Sequence, residues 1–355
     1  MRHSADTGLT IGDVRIGGRV LVAPMTGVSD LPFRRTASRL GAAYVATEMV
    51  ACEMLARGRP DVIRRAAVGD GLPLTVIQLV GHEPQWIARA AVLAEAAGAD
   101  IVDLNMGCPC KEVTGVLSGS ALMRDPAHAE RLMRAATGAI SRPVTLKMRL
   151  GWDHGSSNAP ELAVRAERAG IAALTVHGRT RQQFYNGRAD WSAVAAVKAA
   201  TRLPVIVNGD IRDAGTAVMA LAESGADAVM IGRGAYGRPW IAGAIDRALQ
   251  TGMSTDEPRL DARLAIVLDH LNASLRFYGD EHGVRIFRKH LGWYVENAPE
   301  PADAQLRRAA KARLCRLGTP HEMEAGLIAL WQNGLSADTV RSENAPDGML
   351  SRKFR

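Results

Sequence analysis

Cysteine is scarce in this chain. Its four thiols, Cys52, Cys108, Cys110 and Cys315, are spread over 355 residues, too thinly for the disulfide framework of a small secreted domain. The Cys-Pro-Cys triplet is also too tight and too isolated for a structural zinc site, which takes four ligands at looser spacing. One reactive thiol is what the count leaves room for. No uncharged apolar run reaches the roughly 18 residues that a membrane span needs. The opening MRHSADTGLTIGDVRIGG lacks the apolar stretch of a secretory signal, so the expected location is cytoplasmic, with no membrane partner. There is no GxGxxG after the first apolar run and no HxH at its end, which argues against a dinucleotide-binding doubly wound sheet and a metal-dependent hydrolase barrel; no metal is expected.

What is present is an ordinary globular balance, 47% apolar and 23% charged, rather than a disordered one. A length of 355 residues leaves room for one core of about 200–250 residues and something smaller. Lys and Arg number 44 against 37 Asp and Glu, a net charge of 44 − 37 = +7. That excess favours phosphate-bearing partners, nucleic acid included, without requiring one.

Eight short apolar runs recur, at 20–23, 43–47, 75–79, 101–104, 144–148, 173–176, 205–207 and 228–231. They are Val- and Ile-rich and too short for core helices, so they predict strands. Between them lie Ala/Glu/Arg-rich segments ending in Gly, as in AEAAGADIVDLN, AERAGIAALTVHG and ALAESGADAVMIG, with Gly98, Gly170 and Gly225 at helix C-caps. Apolar strands alternating with helices give a parallel sheet covered by helices. Eight such units ending near residue 235 fit an α/β (β/α)8 TIM barrel, assigned here to residues 1–245, with TIGDVRIGG as a short hairpin at the barrel floor. From 246 to 330 the pattern turns helical without strands: residues 259–316 hold 11 Arg/Lys and 7 Asp/Glu, a local net of +4. Residues 331–355 read as a loose tail.

In a barrel, chemistry sits at the C-terminal ends of the strands. Those positions hold Pro24, Met25 and Thr26, then Glu48, Gln78, Asn105 with Cys108, Lys147 with Arg149, His177, Asn208-Gly209-Asp210 and Gly232-Arg233-Gly234. A lysine inside VTLKMRL is costly to bury alone; a cofactor carbonyl or anion, a Schiff base and a carboxylate pair are its open uses. The two last glycine-bearing turns suit a phosphate, with Arg233 adding a fork of donors. Gln78 at a pyrimidine edge and Lys147 beside a ring carbonyl make flavin mononucleotide (FMN) the ligand of choice. Cys108 on its Gly-Cys-Pro turn is either an inert buried thiol or a proton donor.

Taken in order, APMTGVSDLPFR (23–34), the Gln78 strand, LNMGCPCKEVTGVLSGSALM (104–123), TLKMRLGW (145–152), VHGRTR (176–181), VNGDI (207–211) and MIGRGAYGRPW (230–240) resemble the bacterial tRNA-dihydrouridine synthases, specifically their DusB branch, over residues 10–325. The resemblance implies an FMN-binding barrel followed by a small helical tRNA-binding domain, and NADPH-dependent reduction of D-loop uridines. It places Pro24, Met25 and Thr26 along the flavin, and Gln78 and Lys147 at its ring. Asn208, Gly209, Asp210, Gly232 and Arg233 fall around its phosphate end, and Cys108 is the proton donor, with Cys110 a spectator. His177 then bonds the flavin or is structural. Asn105 holds an edge of uracil or flavin, and Arg179 and Arg181 contact tRNA phosphates or steady a loop. Arg285, Arg288 and Lys289 in the interrupted RIFRKH would grip the tRNA backbone. The expected protein is a monomer. A free-pyrimidine oxidoreductase on the same barrel, and an RNA-binding protein on a retired one, are the competing readings.

Overall fold

The computed structural model describes residues 8–69, 71–253, 257–298 and 303–333. Residues 1–7, and 334–355 of the expected tail, lie outside them. The chain divides into two units between Glu257 and Pro258.

The first unit is a parallel barrel. A two-stranded antiparallel hairpin, β1 (Leu9–Ile11) and β2 (Val14–Ile16), precedes it. Its turn residue Gly12 lies against Pro143 and Ala172, which lead into barrel strands, so the hairpin sits at the floor as expected. The barrel strands are β3 (Val20–Val22), β4 (Val50–Ala51), β5 (Val76–Val80), β6 (Ile101–Met106), β7 (Val144–Arg149), β8 (Ala173–His177), β9 (Val205–Asn208) and β10 (Ala228–Ile231). They run in the order β3-β10-β9-β8-β7-β6-β5-β4. The predicted run 43–47 is no regular strand. It makes single parallel bridges, Val45 to Val22 and Ala46 to Val76, which close the ring between β3 and β5. Its ladder is interrupted where the Thr47 hydroxyl turns to the neighbouring strand β5 and accepts from Gln78 N at 3.0 Å.

Each strand is wholly or nearly wholly buried, because helices cover its outer face while side chains fill the barrel. Aspartates cap three of the barrel's α-helices, Asp30 before Leu31–Arg39 among them. Asp125 accepts from His128 N at 2.9 Å to start Pro126–Thr137. Asp213 and Thr216 cap Ala214–Ser224 reciprocally. Gly98, Gly170 and Gly225 all adopt positive φ, as the repeat predicts. The helix Ile241–Thr251 belongs to this unit, so the expected boundary at 245 is moved: Ile241, Ala244 and Ile245 are buried and Asp246 accepts from Arg19 N at 2.7 Å. An amphipathic helix with that apolar face closes the last βα unit.

The second unit is helical throughout its described residues: Leu260–Tyr278, Asp280–Glu296, Ala304–Leu314 and Pro320–Asn333. Val267, Leu271, Phe287, Leu291, Leu314 and Leu327 form its core. The last helix runs past the expected start of the tail at 331, because Leu330 and Trp331 are buried in that core. Among the described residues no helix is long and apolar enough to cross a membrane.

Candidate active site

Strand register sets the rows of side chains from which the site is built. Gln78 pairs with Asp103 and Asp103 with Thr145; Asn105 pairs with Lys147; Arg149 pairs with His177 and His177 with Asn208. At the C-terminal ends of the strands Gln78, Asn105, Lys147, Arg149, His177 and Asn208 surround a cavity of about 640 Å³, within the range of small-ligand sites. All eleven residues expected at a cofactor line it: Pro24, Met25, Thr26, Gln78, Lys147, His177, Asn208, Gly209, Asp210, Gly232 and Arg233. Asn105, Cys108 and Arg179 join them. Arg181 does not; its guanidinium lies over the Trp152 ring, 4.6 Å from the centroid.

The cavity is cationic. Lys147, Arg149, Arg179, Arg212 and Arg233 line it against the single carboxylate of Asp210. Lys147 Nζ donates to Asn208 Oδ1 at 3.0 Å. Burial, reinforced by neighbouring Arg149, depresses its ammonium to about 8. Arg149 is 2% exposed and donates to the carbonyls of Gly107, Thr180 and Phe184 at 2.8–2.9 Å. It thereby ties the loop after β6 to the loop after β8. Arg179 is likewise enclosed: it donates to Asn186 O, Gly187 O, Asp210 Oδ2 and His177 Nε2. A guanidinium has only donors, so His177 Nε2 accepts and its proton sits on Nδ1. Burial, with the surrounding cations adding to it, drives the imidazole well below its usual range. His177 is therefore neutral. Arg233 stays half exposed, with its guanidinium 4.8 Å from the Tyr185 ring centroid.

Cys108 is half-buried on the turn after β6. Its backbone N–H donates to Asn105 Oδ1 at 2.9 Å, and its carbonyl accepts from Ser120 N and Oγ at 3.1 and 2.9 Å. Gly119 makes this close approach possible: its φ is +60°, and a Cβ there would lie 2.8 Å from the Cys108 carbonyl. Burial, with Cys110 alongside, pushes the Cys108 thiol up to about 11. It carries its proton at neutral pH.

Sequence reasoning assigned no role to Tyr185, Met49 or Tyr236, which also line the cavity, nor to Arg149 beyond its place at a strand end. Tyr185 sits in an irregular loop with no periodic signal. Asp103, a carboxylate inside the apolar run IVDLN, had a signal that went unused. In the second unit Arg285 and Lys289 are exposed on Asp280–Glu296, four residues apart and so on one face. Arg288 points elsewhere, donating to Leu317 O at 3.1 Å.

Residues 21–319 match the family model described as "Dihydrouridine synthase (Dus)". A protein of Rhodobacter capsulatus named "Probable tRNA-dihydrouridine synthase" is 50% identical over 303 residues, 85% of this chain and 93% of its own length. The "tRNA-dihydrouridine synthase B" of Xanthomonas axonopodis pv. citri is 46% identical over 296 residues, 83% of this chain and 89% of its own. Among solved structures, a morphinone reductase variant in complex with tetrahydroNAD aligns with a TM-score of 0.50 at 16% identity, covering 73% of this chain and 93% of that one. At that identity the likeness speaks for the fold alone. The sequence matches reach across the strand-end motifs that build the cavity, and on them the chain belongs to the dihydrouridine synthase family.

Proposed function

We propose that this protein reduces the C5=C6 bond of D-loop uridines in tRNA, as a monomer, with FMN bound in the barrel cavity and NADPH as the electron donor. One observation carries the reading: a protonated thiol, Cys108, shares a cationic cavity with the amide of Gln78 and the amine of Lys147, in a chain whose relatives are named for this reaction.

The residues fit the cofactor. The five cations of the lining suit a phosphate, and the turn Gly232–Arg233, with Asn208, Gly209 and Asp210, would hold that end. Pro24, Met25 and Thr26 would flank the ring, and Gln78, Lys147 and neutral His177 would meet its polar edge. When bound and reduced, the flavin supplies a hydride to C6 of uracil. The C5=C6 bond is conjugated to the C4 carbonyl, so negative charge develops over C5 and O4. Cys108 delivers the proton to C5. A carboxyl group in its place would be ionised and would repel that charge; a thiol raised to about 11 holds its proton until the substrate draws it. Asn105 orients the turn bearing the thiol, and Arg149 and Arg179 brace the loops around the cavity. Cys110 is a spectator. Arg181 reaches tRNA phosphate at the mouth, and Arg285 and Lys289 bind the RNA backbone, while Arg288 is tied to Leu317 O. Extruding a stacked uridine costs a few kcal/mol, which these contacts must offset.

The test is optical. Purified protein should show flavin bands near about 370 and 450 nm that bleach with NADPH under anaerobic conditions and return on adding unmodified tRNA. Cys108→Ala should bleach normally and recover at least about a hundredfold more slowly. Recovery with free uracil or orotate, and none with tRNA, would replace the substrate class; a protein that cannot be loaded with flavin would remove the proposal.

A further inference from the structure

Beneath the cavity floor runs a chain of hydrogen bonds that begins on a carboxylate outside the lining. Asp103 is 2% exposed. Its Oδ1 accepts from Thr145 Oγ1 at 2.6 Å and its Oδ2 from Gln78 Nε2 at 2.6 Å. Gln78 Oε1 accepts from Asn105 Nδ2 at 2.8 Å. Asn105 Oδ1 accepts in turn from the backbone N–H groups of Gly107 and Cys108, at 3.1 and 2.9 Å.

The polarity of this chain is fixed from the turn. Backbone N–H groups only donate, so Asn105 must present its oxygen to the turn and its NH2 to Gln78. With its Oε1 engaged by Asn105, Gln78 turns its NH2 to Asp103, whose carboxyl burial pushes above its usual range. Neither amide can flip without placing two donors or two acceptors face to face, and buried mismatches of that kind cost about 1–3 kcal/mol each. Gln78 keeps one N–H and the second lone pair of Oε1 beyond these bonds, and with its orientation fixed the N–H is the donor it can offer the cavity.

We infer that Asp103 is a positioning residue: through Gln78 and Asn105 it locks the turn that carries the Cys108 thiol and sets Gln78 as a donor toward a ligand's carbonyl or unprotonated ring nitrogen. The thiol part stands on this chain alone; the ligand part rests on the flavin reading above.

Two variants separate the acceptor from mere packing. Asp103→Leu keeps the branched outline at a larger volume and removes the acceptor. Asp103→Asn keeps an oxygen that can face Gln78 while its NH2 faces Thr145 Oγ1, which can accept. The readout is alkylation of Cys108 by iodoacetamide as a function of pH, with Cys108 and Cys110 resolved by fragmenting the peptide that carries both. In Asp103→Leu the loosened turn should expose the thiol. Its alkylation at neutral pH should rise about fivefold or more and its profile move toward the ordinary thiol range near about 8.5. With tRNA, kcat for flavin reoxidation should fall about tenfold with KM for tRNA unchanged. Asp103→Asn should stay within about twofold of the parent in both. Should the Leu variant not accumulate folded, Asp103→Ala provides the same comparison. An unchanged alkylation profile in a folded Leu or Ala variant overturns the inference, and so does an Asn variant that shifts as far as Leu. Because alkylation needs neither flavin nor tRNA, a failure of the catalytic reading leaves this result intact and is seen separately.

Discussion

Lys147 shows how a single residue is held at a cost for the sake of the site. Its folded-state value of about 8 lies below the usual lysine value. Between about pH 8 and 10.4 the unfolded chain therefore binds a proton that the native state does not, and the stability contribution rises with pH through that window. Below about pH 8 the native protein carries the cost of an enclosed ammonium, at most about 3 kcal/mol. Lys147→Met should thus melt no lower than the parent at pH 7, while FMN affinity falls about tenfold. A lower melting midpoint with unchanged flavin affinity would make Lys147 a structural residue instead. Lys147 was legible because a charged residue inside an apolar strand run demands a partner. Tyr185 was not, since nothing in RQQFYNGRAD distinguishes a ring over Arg149 and Arg233 from one facing solvent.

At the scale of elements, seven of the eight barrel strands fall within a residue or two of their apolar runs, because doubly buried parallel strands are written as continuous Val and Ile. The second run departs from this where the Thr47 hydroxyl bonds to β5, which composition does not reveal. The loops were less legible still. Arg179 was expected to contact tRNA phosphate or steady a loop; it is 1% exposed and clamps the loop after β8 onto the turn after β9, pairing with Asp210 Oδ2 at 2.6 Å. Asp210 itself sits at φ +56°, a left-handed geometry that its contacts to Arg179 and to Ala189 N maintain. Without the guanidinium Asp210 keeps only the more distant Arg233, at 3.5 Å, and the carbonyls of Asn186 and Gly187 lose their donor. Arg179→Ala should lose about 3–5 kcal/mol in urea unfolding, and hydrogen exchange should accelerate across residues 184–190. Arg179→Lys should recover little, because an ammonium cannot reproduce the fork that reaches two carbonyls and a carboxylate at once. If exchange in that loop is unchanged in Arg179→Ala, the arginine is not its clamp.

For the whole molecule, charge and division of labour are the remaining terms. The shift from alternating strands to helices announced two units, but the boundary was misplaced, because an amphipathic helix that closes a barrel and one that opens a bundle share the same 3.6-residue pattern. The net charge of +7 is a property of the whole chain. The exposed pair Arg285 and Lys289 belongs to the helical unit, whereas the cavity-lining residues belong to the barrel. If the helical unit grips the RNA backbone through counterion release, affinity for unmodified tRNA must fall linearly with salt on a logarithmic plot. Arg285→Ala and Lys289→Ala should each flatten that slope by about 1 and weaken binding at low salt, with the rate of flavin bleaching by NADPH unaltered. Arg288→Ala, whose side chain is tied to Leu317 O, should instead lower stability and leave the slope nearly intact. A slope insensitive to both exposed residues would place the RNA-binding surface elsewhere. A bleaching rate that changed with them would mean that the helical unit shapes the cavity as well as the grip.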